Sequence, residues 1–384
     1  MAEHESDMVA LCERRKHCMC TSNFFLVTSM VMQIVAMSES EYPSCCSLES
    51  LAFANMAFVL GLFVLGPVGA FLVDRFRRQS VYRSSLLVAA AASAVLYFGR
   101  SAEIVASVRF VEGMMYGLAQ VALGSTLLND LAASELRTSS DYSFAWAALL
   151  AIPAGAGLAC FLMGQFGFNV VIAVAIIMLL LSVVLVSSMN VPFRAPIHSA
   201  VFGLDRFWQK NDMLPFLNLL FISVPAGVFI ASLSSPLYYA LAAVGVVAAH
   251  SVRRAVFRNA DVRAEIVTGL VCMCFSLLIF MLRDTETPCR VAAFMFGAGI
   301  SLASTRFLLY FLKLTGHCQR GTAQNTYLLS RECGYALGFL LAFIVPVLVE
   351  VSLALLLLST AFYLLVTHPW FMRHNDRGFR FREV

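Results

Sequence analysis

The stretch Gly66-Pro67-Val68-Gly69-Ala70-Phe71-Leu72-Val73-Asp74-Arg75-Phe76-Arg77-Arg78 changes character abruptly. Up to Val73 it continues an apolar run that begins at residue 51, and from Asp74 it carries an acid and three arginines. An apolar helix of about 20 residues matches the thickness of a bilayer core, and a basic cluster at its end marks the cytoplasmic interface. Working outward, the same alternation marks twelve runs, at 22–38, 51–73, 80–98, 104–128, 142–163, 167–189, 213–232, 235–250, 262–282, 290–312, 326–348 and 350–367. The seventh and eighth are separated only by Ser232 to Pro236. The chain of 384 residues is 60% hydrophobic and only 13% charged, where soluble domains run near a quarter charged. Its mean hydropathy of +0.81 excludes a soluble globular protein and a disordered chain alike. Eleven cysteines are too dilute for a disulfide framework. What remains is a polytopic, all-α membrane protein.

The distribution of basic residues sets the orientation. With the N-terminus inside and sides alternating, 21 of the 27 basic residues fall on inner segments. Arg100, Arg283 and Arg290 fall outside, and Arg109, Arg306 and Arg331 lie within runs. This bias predicts both termini in the cytoplasm and an even helix count. Arg14–Lys16, Phe24–Val35 and Ala36-Met37-Ser38 also fit a cleaved leader, but removing it would leave eleven helices. A nucleic-acid partner would need a basic face with stacking aromatics outside the membrane, and none is expected.

The longest inner loop, 190–212, holds Pro192, Pro196 and Gly203 and reads as a linker. It divides a cytoplasmic segment 1–21 and a six-helix bundle 22–189 from a second bundle 213–367 and a cytoplasmic tail 368–384. The halves resemble each other: Arg137-Thr138-Ser139-Ser140-Asp141-Tyr142-Ser143-Phe144 leads into helix 5 as Arg320-Gly321-Thr322-Ala323-Gln324-Asn325-Thr326-Tyr327 leads into helix 11. Gly155 and Gly338 follow at the same distance. Repeated helical halves are a known transporter architecture.

The stretch from Gly66 to Arg78 resembles the signature that follows the second helix in the major facilitator superfamily, G-x-x-x-D-R-x-G-R-[RK]. Ala70 stands where glycine is usual, with Gly69 beside it, and Arg77 replaces the second glycine. Arg109-Phe110-Val111-Glu112-Gly113 is similar to the R-x-x-x-G pattern of helix 4. Pro153-Ala154-Gly155-Ala156-Gly157 resembles the helix 5 pattern of the antiporter branch, with Ile152 in place of its first glycine. Arg320-Gly321-Thr322-Ala323, then Glu332-Cys333-Gly334 and Gly338, resemble the start of helix 11 in drug:proton antiporters. The resemblance implies the major facilitator fold, twelve helices in two six-helix pseudo-repeats. It also implies an inner gate in which Asp74 meets the start of helix 11, with Arg75 and Arg78 beside it. The alternative for these arginines is anchorage at anionic headgroups.

Ionisable residues at membrane depth are functional candidates because inserting them is costly. Arg109, Glu112, Tyr116 and Gln120 share one helical face, and that stripe is expected to face a central substrate and proton pathway. Glu112 lies roughly 12 Å into helix 4, near the centre of a core of about 30 Å. It is either the proton carrier, with substrate competing for Arg109, or the permanent partner of Arg109. Arg306 and Glu332 sit at matching depth on helices 10 and 11 and are expected to form an inner latch or a second protonation site, unless Arg306 snorkels to the interface.

Small residues allow helices to approach closely in lipid, which assigns Gly113, Gly117, Gly155, Gly157, Gly334 and Gly338 to helix packing. Pro153 is expected to kink helix 5. His17-Cys18-Met19-Cys20 lacks structural zinc spacing, and vicinal Cys45 and Cys46 are poorly placed to bridge each other. No metal or cofactor is expected. No nucleotide-binding loop or catalytic signature is present, so the chain reads as no enzyme and no ATP-driven pump. The expected function is proton-coupled export of small apolar or amphipathic molecules by a monomer in a bacterial cytoplasmic membrane. The alternatives are proton-coupled uptake of a small organic anion, with Arg109 on the carboxylate, and a transport-inactive scaffold or sensor.

Overall fold

The computed structural model describes residues 2–39, 48–99, 101–132, 136–189, 191, 200–257, 261–282, 285–316, 319–344 and 348–374. Cys45, Cys46, Pro192, Pro196, Arg100 and Arg283 lie outside the described residues. All regular structure among the described residues is helical, in twelve rods. These are α1 (Ala2–Glu39), α2 (Leu48–Arg75), α3 (Arg78–Val95), α4 (Ala102–Gln120), α5 (Arg137–Phe166), α6 (Phe168–Ser187), α7 (Met213–Ser232), α8 (Pro236–Val256), α9 (Val262–Phe280), α10 (Glu286–Leu314), α11 (Arg320–Ile344) and α12 (Leu348–Phe362). Helix α4 runs on through a π-helical segment, Val121–Leu128, to Leu131, and α12 through another, Tyr363–Thr367, to His374. The first helix begins far ahead of its apolar run.

Nine helices among the described residues are long and apolar enough to cross a bilayer on composition alone. The other three, α3, α4 and α8, carry polar side chains that point into the protein instead of toward lipid. Arg109, Glu112 and Ser93 are fully buried, whereas Leu60, Val184, Val244 and Leu358 form part of the apolar outer surface. The narrow gap between the seventh and eighth runs is a true turn. The Ser235 hydroxyl accepts from the Leu237 amide at the start of α8, while Tyr239 donates to the carbonyls of Ile230 and Leu233 at 3.0 and 2.8 Å.

Glycine contacts set the packing within each half and repeat between halves. Gly61 and Gly113 bring α2 against α4, and Gly245 and Gly297 bring α8 against α10 with the same spacing. A methyl group at Gly113 would collide with the Phe58 carbonyl, and one at Gly297 with that of Ala242. Gly155 packs on the Thr28 backbone of α1, while Gly334 and Gly338 pack on Leu220, Val224 and Gly227 of α7. Gly117 lies more loosely against Leu62. Gly157 differs, because it faces Tyr239 of α8 across the seam between halves.

Candidate functional site

The linker-side ends of the halves are joined by polar contacts. Arg320, at the start of α11, donates through Nε to Asp141 of α5 at 2.7 Å. With its amide oriented to satisfy its neighbours, Gln324 donates to Asp141 at 2.9 Å and to the Gly124 carbonyl at 3.1 Å. Gly321 lies against the Ser125 carbonyl in the π-helical part of the fourth rod, and such segments occur often at functional positions. Asp74 does not reach α11 directly. It pairs with Arg206 of the linker at 2.8 Å, and the Arg206 amide donates to Thr322 of α11 at 2.9 Å.

The linker is thus a strap across these ends of the two halves. The Gln209 amide donates to Thr326 at 2.9 Å, and Asn325 donates to the Phe207 carbonyl at 3.0 Å. The Phe207 ring fills the space left by Gly66 and meets the Phe63 ring edge-on at 5.9 Å. Arg206 has φ +57°, a left-handed backbone unusual for a residue with a side chain. Arg75 is exposed and stands outside this network, while Arg78 pairs within the first half, with Asp130.

At mid-membrane the predicted stripe on α4 divides. Arg109 and Glu112 turn into the first half and not toward a passage between the halves. Arg109 Nη1 donates to Glu112 at 2.7 Å, and Ser93 of α3 donates to the other carboxylate oxygen at 2.6 Å. Gln33 of α1 donates to Ser93 at 3.1 Å, and the Arg109 guanidinium lies 4.6 Å from the centre of the Phe58 ring of α2. Tyr116 does face the second half, donating to Glu332 of α11 at 3.1 Å. Glu332 also accepts from Arg331 at 2.8 Å, and Arg331 reaches the Ala145 carbonyl of α5 at 3.4 Å. Gln120 donates to Asn23 of α1 at 2.8 Å, a residue that apolar-run reading passes over because it lies in a hydrophobic span.

The expected Arg306–Glu332 latch is not formed. Arg306 pairs with Glu265 of α9, and Arg253 of α8 meets the other oxygen of the same carboxylate at 3.2 Å. Arg253 also lies 3.8 Å above the Tyr142 ring of α5, and the Tyr142 and Thr305 hydroxyls are 2.7 Å apart across the seam. Equal depth misled the pairing because α10 packs on α8 and α9 far more than on α11.

A small apolar crevice of about 10 Å³, room for about one water molecule, lies between the halves, lined by Leu149, Pro153, Ile230, Val246, Phe296 and Tyr335 among others. Pro153 therefore faces the seam. Ligand pockets usually span about 300–1,000 Å³, so in this conformation the crevice is far smaller than a typical site and has to widen before it can hold a solute.

Solved structures resemble this chain over most of its length. A bacterial homologue of the iron transporter ferroportin in an outward-facing state superposes with a TM-score of 0.63 at 15% identity, covering 94% of this chain and 100% of that one. A bacterial homologue of ferroportin in an outward-facing state with soaked iron gives 0.63 at 13%, covering 94% and 99%. The human organic anion transporter MFSD10 (TETRAN) gives 0.63 at 14%, covering 91% and 99%. No protein-family model and no curated protein matches the sequence. The chain is an all-α, multi-pass membrane protein with the major facilitator fold.

Proposed function

We propose that this chain is a secondary active transporter that moves a small solute by alternating access. The supporting observation is a contrast in bonding. Each half is held by several glycine-mediated backbone contacts, while the linker-side ends of the halves, apart from the close approach of Gly321 to Ser125, are joined by polar pairs that water can replace, including Arg320–Asp141 and Asp74–Arg206. Two stiff bodies joined by exchangeable contacts can rock about a central site.

The coupling ion is the proton, carried by Glu112. Arg109 and Glu112 are both fully buried and form a balanced pair. Protonating Glu112 would strip Arg109 of its counter-charge, and an uncompensated buried charge costs several kcal/mol. Proton arrival is therefore tied to movement of another charge. The solute is small and apolar or amphipathic, in keeping with the apolar cavity, and the resemblance of α5 and α11 to antiporters favours export. Proton-coupled uptake of an organic anion is the second reading, favoured by two arginines sharing Glu265. The protein works as a monomer in a bacterial cytoplasmic membrane, with both termini cytoplasmic.

The test is solute flux in proteoliposomes under an imposed pH gradient, comparing wild type with Glu112→Gln at equal protein levels. Wild-type flux should follow the gradient, and the variant should lose that dependence while remaining folded. Gradient-driven flux unchanged in Glu112→Gln would remove the proton from this site, and absence of flux across a panel of apolar and anionic solutes would favour the scaffold.

A further inference from the structure

Arg253, Glu265 and Arg306 form a buried cluster in which two guanidiniums share one carboxylate. Among the described residues, Glu265 is the carboxylate within ion-pairing distance of either arginine. The cluster therefore carries surplus positive charge. Arg306 binds Glu265 through Nε, and its terminal nitrogens have no hydrogen-bond acceptor among the described residues. A guanidinium has five donors, so donor capacity remains.

The position of the cluster suggests a use for that capacity. Arg253 lies near the cytoplasmic end of α8 and Glu265 in the first turn of α9. Toward the membrane centre, three helices carry both this cluster and the apolar cavity. Tyr142 precedes Leu149 on α5, Arg253 follows Val246 on α8, and Arg306 follows Ile300 on α10. At 1.5 Å per residue the two sites are roughly 10 Å apart along the helices. Beside the cluster, the Tyr142–Thr305 contact joins α5 of the first half to α10 of the second.

We infer that Arg253 and Arg306 form an anion-binding site for a carboxylate or phosphate carried on an apolar chain, the charged end resting at the arginines and the chain pointing toward the cavity. Two sources share that chemistry, a soluble amphipathic anion and an anionic membrane lipid. As a statement about transported substrate it rests on the transport reading above, whereas the binding itself does not.

The test uses the full chain in phosphatidylcholine nanodiscs, with equilibrium dialysis of radiolabelled octanoate and empty discs as the blank. Wild type should bind saturably. Arg253→Gln keeps a neutral Glu265–Arg306 pair and should weaken binding roughly ten- to hundredfold, as loss of a charge-assisted bond predicts. Glu265→Gln removes the competing carboxylate and should tighten binding. A cluster with only a structural role predicts no such opposite response. In discs containing phosphatidylglycerol, octanoate binding that persists identifies a soluble anion, and binding that is displaced identifies the lipid headgroup. Absence of saturable octanoate binding together with no preferential retention of phosphatidylglycerol, or equal effects of both substitutions, would overturn the inference. Binding without flux would leave it standing and refute transport, and flux without binding would do the reverse.

Discussion

Replacing Asp141 with asparagine keeps its volume and removes the charge that holds Arg320 across the inner seam. The Asp141 side chain is fully buried and that of Arg320 is 21% exposed. A hydrogen bond involving charged groups contributes about 1.5–3 kcal/mol, and partial exposure of the arginine places the loss near 2 kcal/mol. Each 1.4 kcal/mol is about tenfold, so the ratio of inner-closed to inner-open protein should fall roughly thirtyfold. Hydrogen exchange in nanodiscs reads this directly, because amide exchange tracks the open population when reclosing is fast. Amides of Arg320–Tyr327, together with those of the π-helical segment Val121–Leu128, should exchange up to about thirtyfold faster, while those of Ala102–Glu112 stay at wild-type rates. Unchanged exchange at 320–327 in a folded variant would refute the gate, and a uniform rise throughout the chain would show general destabilisation instead.

Other outcomes follow from the same geometry. Gly113→Leu drives a side chain into the Phe58 carbonyl and should lower thermal stability by an amount corresponding to about 1–3 kcal/mol, typical of overpacking, whereas Gly164→Leu, with open space around it, should leave the melting temperature unchanged. Tyr116→Phe keeps the ring against Phe58, at 5.4 Å, but removes the bond to Glu332. Melting should fall only slightly, while exchange in the middle of α4 rises about tenfold, matching a loss of about 1.5 kcal/mol for a bond to a charged group.

The helices were legible wherever apolar length alone defines them. Their neighbours were not. Helical periodicity groups Arg109, Glu112, Tyr116 and Gln120 along α4, yet Glu112 meets the first half and Tyr116 the second. Periodicity fixes an angle about one axis and says nothing of what lies across it. The repeated motif pointed to Arg320, and Asp141 lay within its counterpart, but no local pattern shows that the two touch. Arg206 was hidden more deeply. It belongs to an irregular loop without periodicity, and its role comes from Asp74 and Thr322, far away in sequence. Basic-residue placement bears on sidedness and the glycines on close approach, whereas the ion-pair partners depend on tertiary packing.

The inner gate also has an order of assembly. Its two acids, Asp74 and Asp141, lie in the first half, and the arginines that meet them, Arg206 and Arg320, lie later in the chain. A ribosome thus releases the acidic side of the closure before the basic side exists. Until the second half inserts, both carboxylates lie at the linker-side end of the first half without their arginines. The strap at Arg206 emerges next but finds Thr322, Asn325 and Thr326 only after α11 has been made. This closure is therefore among the last parts of the molecule to form, and the newborn first half can settle in the membrane without a premature electrostatic partner.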